Sequence, residues 1–126
     1  MPIVIHTAEA PAAIGPYNQA IKENGFIYTA GQIPLDVRTG KLIEGSFEDR
    51  VRQVLQNLQA ILKAAGSDFT KVVKVTIFVT DLAQFNQLNT VYAQYFSSES
   101  APARSTVQVA ALPMGTDVEI EMVARV

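Results

Sequence analysis

From Ser46 to Gly66 one apolar stripe runs along the chain. Phe47, Val51, Val54, Leu55, Leu58, Ile61, Leu62 and Ala65 recur at spacings of three and four. That period is helical, and it leaves the helix apolar on one side only. Ser46 with Asp49 three residues on resembles a capping box, and Gly66 is a natural stop after the last turn. A one-sided helix must lay its stripe on a second layer. The rest of the chain supplies mostly strands, so the constraint is an α+β layer fold.

Ile3 to Ile5 reads as a short strand. Tyr17 to Ile21 and Phe26 to Ala30 read as two more, joined by Glu23-Asn24-Gly25, because Asn-Gly between apolar runs favours a hairpin. Two Pro and a Gly make Ala10 to Pro16 a loop, and Pro34 ends the strand that reaches Gly31. Val72 to Val79 is rich in β-branched residues and reads as a buried strand. Asp81 with Gln84 opens a second helix, with Phe85, Leu88, Tyr92, Tyr95 and Phe96 as its core stripe. Arg104 to Val109 and Val118 to Val126 are the last strands. The order β-β-β-α-β-α-β-β gives a mixed sheet with two helices on one face. The uncovered face is partly polar, which suits water or other subunits.

Absences exclude several chemistries. The chain has no Cys, so disulfides, thiolate nucleophiles and Cys-based zinc sites are ruled out. Its single His, His6, leaves no His-cluster metal site and no two-His acid/base pair. Ten basic residues against twelve acidic give a net charge of −2, which argues against an unaided grip on nucleic acid. No apolar run reaches a membrane span, and the N-terminus lacks signal-peptide and transit-peptide character, so the expected location is the cytosol. At 126 residues a single domain over 1–126 is expected.

A few residues can carry chemistry. Arg104, at a strand start beside Pro102-Ala103, can hold a carboxylate through its fixed fork of donors, or serve a structural ion pair. Glu119 and Glu121 share a strand face about 7 Å apart. Either can activate water if partly shielded, and either can equally be a solvated charge. Tyr17 follows a rigid loop and can cap a pocket or pack as a hairpin aromatic. Gly31 permits close backbone approach or marks a bulge. Asn89 falls outside the second helix's core stripe and reads as exposed, and His6 reads as a solvated strand residue. These residues alone stop at a soluble α+β domain with an anion-binding Arg.

Their sequence contexts go further. Ala10-Pro11-Ala12-Ala13-Ile14-Gly15-Pro16-Tyr17, Gly31-Gln32-Ile33-Pro34, Val73 to Val79 with Asp81-Leu82, Pro102-Ala103-Arg104-Ser105-Thr106 and Val118-Glu119-Ile120-Glu121 follow one another in order. In this the chain resembles the Rid (reactive intermediate deaminase) family, in its RidA-like branch, over nearly its whole length. The resemblance implies a homotrimer of the chorismate-mutase-like kind, with a central barrel-like core and clefts between subunits. It implies hydrolysis of 2-imino acids such as 2-iminopropanoate and 2-iminobutanoate, and of their enamines, to 2-oxo acids and ammonia, with no cofactor or metal. By position, Arg104 matches the carboxylate-binding Arg and Glu119 the Glu associated with the reactive water. Tyr17 matches the cleft Tyr, Gly31 the glycine that approaches the ligand, and Asn89 a cleft Asn. Thr106 stands in the substrate-binding stretch where the branch often has Cys, so a backbone N–H contact survives there and a thiol contact does not. Ala30 stands where Ser is common. The partner implied is a small-molecule substrate. Two other readings fit the same cleft or family: a non-enzymatic sensor of 2-oxo acids, and a ribonuclease or translation inhibitor.

Overall fold

The computed structural model describes residues 1–126. Six strands, β1 (Ile3–Ile5), β2 (Ala20–Glu23), β3 (Phe26–Thr29), β4 (Val72–Val79), β5 (Ala103–Gln108) and β6 (Val118–Arg125), form one mixed sheet. Their spatial order is β1-β2-β3-β6-β4-β5. Two helices, α1 (Phe47–Ala64) and α2 (Phe85–Tyr92), complete the expected element order. Both are crossovers. The α1 connection carries the chain from β3 to β4, on either side of β6, and α2 links β4 to its parallel neighbour β5. Parallel neighbours need such a helix, whereas the antiparallel β2–β3 pair needs only its two-residue turn. In that turn Asn24 and Gly25 both take positive φ, 52° and 80°, as a type I′ hairpin requires.

The stripe of α1 is buried as the sequence predicts, with Val51, Val54, Leu55, Leu58, Ile61 and Leu62 all at 0% exposure. Ser46 accepts the Asp49 N–H at 3.1 Å while Asp49 accepts the Ser46 N–H at 3.2 Å, so the capping box closes. Beneath the helix lie alternate residues of the sheet: Ile27, Val75, Ile77, Val118, Ile120, Met122 and Ala124. Arg50 ties the helix to the sheet. Its Nε and Nη2 donate to the two Asp117 oxygens at 2.9 and 2.6 Å, and its Nη1 donates to the Gly45 carbonyl at 2.6 Å.

Three boundaries differ from the sequence reading. Tyr17 lies outside the second strand, which starts at Ala20. The Tyr17 N–H turns back onto the Gly15 carbonyl at 2.8 Å, and this turn wins over the β propensity of the segment. The Asp81 side chain caps a 3₁₀ turn, Leu82–Gln84, and α2 follows it. The helix then ends at Tyr92, so Tyr95 and Phe96 pack beyond it. Phe85, expected in the core, is 41% exposed, with its ring centroid 5.4 Å from the guanidinium carbon of Arg104.

The uncovered face mixes characters as expected. Glu119, Phe78 and Val107 stand in one row across β6, β4 and β5, and Glu121, Thr76 and Ser105 in the next. Val4, Ile21, Tyr28 and Val123 continue it across β1, β2, β3 and β6. No helix is long and apolar enough to cross a membrane.

Candidate active site

Arg104 and Glu119 leave opposite faces of the sheet. In the parallel β4–β5 register Arg104 pairs with Val75, whose side chain is buried under the helices. In the β4–β6 register Glu119 pairs with Phe78, on the other side. The sequence-predicted residues therefore form two groups within one chain.

The first group surrounds a cavity of about 160 Å³, lined by Ile14, Tyr17, Gly31, Ile33, Pro113 and Glu119 among others. The Gln32–Ile120 bridge brings the residues after β3 against β6, which sets Gly31 beside Glu119. The Glu119 carboxyl lies so close that a Cβ on Gly31 would sit 2.5 Å from Oε2 and 2.8 Å from Cδ. Gly31 thus leaves the room that the Glu119 carboxyl occupies in this position. Burial pushes the Glu119 carboxyl above its ordinary value, and the neighbouring charge of Glu121 adds to the shift. Tyr17, 46% exposed, lies on the rim with its hydroxyl accepting the Ile14 N–H at 3.3 Å.

The second group stands on α2 and β5. Asn89 Oδ1 accepts a hydrogen bond from Arg104 Nη2 at 2.7 Å. The guanidinium carbon lies 4.7 Å from the Tyr92 ring centroid and 5.4 Å from that of Phe85. Phe85, Asn89 and Tyr92 are spaced four and three residues apart, so one face of α2 makes an aromatic saddle with a polar centre. The reading of Asn89 as an exposed helix position is corrected by this contact. That spacing was the available signal for all three; Tyr92 lies in the core as the stripe predicts and also meets Arg104, whereas Phe85 lies outside the core. One of the five guanidinium N–H groups is taken, and the others remain for a ligand. Burial raises the Tyr92 hydroxyl to about 12 against the opposing charge of Arg104, so Tyr92 is neutral. Its oxygen is buried without a partner, as is that of Thr106, two residues beyond Arg104 on the same face.

Chemically, one group is an acid–base carboxyl in a small cavity and the other an oriented cation. No three His, Cys, Asp or Glu side chains come together where they could hold a metal ion. The remaining candidate, His6, is exposed just beyond β1.

Residues 7–126 match the family model described as Endoribonuclease L-PSP. Human 2-iminobutanoate/2-iminopropanoate deaminase is 51% identical over 96% of this chain and 88% of its own length. A solved Yersinia pestis structure, described as a protein of unknown function of the conserved Rid protein family, superposes with a TM-score of 0.96. It is 51% identical, and all of both chains is covered.

The chain belongs to the Rid family.

The resemblance drawn from the ordered motifs is borne out, and so is the α+β class with two helices on a mixed sheet. Another Rid relative, Reactive Intermediate Deaminase A of Arabidopsis thaliana, a chloroplastic protein, is 51% identical over 96% of this chain and 64% of its own. Rid enzymes act on small molecules, which agrees with a cavity of this size.

Proposed function

We propose that the protein hydrolyses 2-imino acids and their enamine tautomers, 2-iminopropanoate and 2-iminobutanoate among them, to 2-oxo acids and ammonia. The observation that carries this reading is the 51% identity, across 96% of the chain, to a human protein named for that reaction.

The opposite-face geometry supports a site built from two copies. Arg104, Asn89 and Thr106 of one copy meet Tyr17, Gly31 and Glu119 of the next, in a homotrimer whose bare sheet faces turn inward. The whole of 1–126 is then one Rid-like domain, working in the cytosol. Arg104 binds the substrate carboxylate with N–H groups that Asn89 leaves free, which orients the imine. The backbone N–H of Thr106 adds a second donor, and Tyr17 closes the rim. The imine reacts in its protonated form: water adds to the imine carbon as the C=N electron pair moves onto nitrogen, and one water proton passes to an ionised Glu119, leaving a neutral carbinolamine. The neutral carbinolamine then gains a proton on nitrogen from Glu119. Its C–N bond breaks as the hydroxyl proton is released, giving ammonia and the 2-oxo acid. A carboxyl with a raised pKa both gives and takes protons, worth about 10²–10⁴-fold. No covalent nucleophile is required.

The test is imine lifetime. An amino-acid oxidase generates imines from several amino acids, and their decay is followed with and without the protein. Faster decay that vanishes in Arg104→Ala is expected. Unchanged decay with retained binding of 2-oxobutanoate would leave a sensor in place of an enzyme. The family model's description also suggests RNA cleavage. A net charge of −2 and a single exposed His disfavour it, and RNA cleavage that copurifies with the protein and is lost in Arg104→Ala would restore it.

A further inference from the structure

Gln19 is 2% exposed, and its side chain takes part in four hydrogen bonds. Oε1 accepts the Thr7 N–H at 2.7 Å. Nε2 donates toward the carbonyls of Thr7, Ala10 and Pro11 at 3.1, 3.3 and 2.8 Å. An amide nitrogen has two hydrogens, so one of them is shared between two of the three acceptors. The backbone of Gln19 reaches the other way, its carbonyl accepting the Ala30 N–H at 2.9 Å. Ala30 precedes Gly31, on which the Glu119 carboxyl lies.

One residue thereby joins both walls of the cavity. Its side chain holds the segment leading into Ala12, Ala13, Ile14 and Tyr17, and its main chain holds the strand end beside Glu119. The segment from Thr7 to Tyr17 has no helix or strand of its own. Its backbone groups near Gln19 are satisfied by this side chain, which does the work that a sheet ladder would do elsewhere. The amide cannot be replaced by its isostere. A carboxylate in the Nε2 position would face three carbonyl oxygens with no proton to offer.

We propose that Gln19 is a positioning residue for substrate binding, fixing the Thr7–Tyr17 wall against the Gly31 strand end so that the cavity is formed before substrate arrives. The proposal rests on the reading of this cavity as half of the imine site. Gln19 lines the cavity, but both polar atoms of its side chain are spent on the backbone of Thr7, Ala10 and Pro11, so its loss acts on binding and spares the chemical step.

The experiment uses the full-length protein with Gln19→Glu and Gln19→Leu, and Gln59→Glu on the exposed face of α1 as control. Hydrogen exchange of the Thr7–Tyr17 amides is measured beside steady-state imine hydrolysis. Expected are exchange at least about tenfold faster in that segment alone and KM raised about tenfold, with kcat within about threefold of wild type. The control changes neither. If Gln19→Leu fails to fold, Gln19→Glu decides. Wild-type exchange in Gln19→Glu overturns the proposal. So does fast exchange with unchanged KM, which would make Gln19 a structural staple only, and so does a fall in kcat at constant KM. A wild-type protein that turns over no imine overturns the functional reading instead, and exchange in the Thr7–Tyr17 segment still decides whether Gln19 holds the wall.

Discussion

Arg104 stands beside Val75 under the helices, while Glu119 stands beside Phe78 on the bare face of the same sheet. A substrate held by one cannot reach the other within a single chain. The site proposed here therefore needs two copies, and this can be tested by complementation. Arg104→Ala and Glu119→Gln chains, each inactive alone, are unfolded together and refolded in equal amounts. Random mixing places an intact Arg104 against an intact Glu119 in about one quarter of the sites. Recovery of roughly that share of wild-type turnover is expected. A mixture as inactive as its parents, with mixed assemblies demonstrated by mass, counts against a shared site.

Gly31→Ala separates fold from function. The added methyl meets the end of a side chain, not backbone, so Glu119 can swing aside and the sheet need not move. Thermal melting within a few degrees of wild type is expected, with kcat down by about 10²-fold through misplacement of the carboxyl. Retained turnover would show that the position of Glu119 is unimportant.

The raised pKa of Glu119 fixes the sign of a pH effect. The folded state holds this proton more tightly than the unfolded chain, whose value is near 4.5. Its contribution is therefore fully present below that value and is lost as pH rises through the higher folded one. Glu119→Gln should melt slightly higher than wild type at neutral pH, and the gap should close in acid. The side chain is only partly buried, so the effect is small. Glu121→Gln should keep turnover within a few-fold and lower the pH at which Glu119 titrates, read from the acid limb of kcat/KM.

Asn89 tunes Arg104 through one hydrogen bond. Asn89→Ala should raise KM by about five- to tenfold with the assembly intact. Asn89→Asp should raise it further, because an added carboxylate competes with the substrate for the guanidinium. Arg104→Lys should retain little activity, since an ammonium cannot reproduce the fork. Steady-state kinetics on one imine decides all three.

The helix α1 was legible because spacing, cap and stop all agreed on Ser46 to Gly66. The hairpin at Asn24-Gly25 was legible for the same reason. Tyr17 was not, because it turns back onto the Gly15 carbonyl in a segment whose start, at Thr7, Ala10 and Pro11, is pinned by the buried amide of Gln19, a contact no local pattern announces. Within β5 and β6 the alternation was plain, but which side of one strand matches which side of the other depends on the registers through β4. Those registers are tertiary facts, so the separation of Arg104 from Glu119 lay beyond the sequence. The roles offered for these residues came from the ordered motifs and not from periodicity.

The position of β6 has a consequence for synthesis. It is the last strand of the fold to leave the ribosome, yet it lies between β3 and β4 at the centre of the sheet. Until Val118–Arg125 emerges, the nascent chain holds a β1–β2–β3 fragment and a β4–β5 fragment, each with an open edge. Neither can be joined to the other by the strands already made. Vectorial folding is thus barred, and the sheet stays in two pieces until β6 is made. A premature stop between β5 and β6 leaves the facing edges of β3 and β4 unsealed for chaperones or proteases to find.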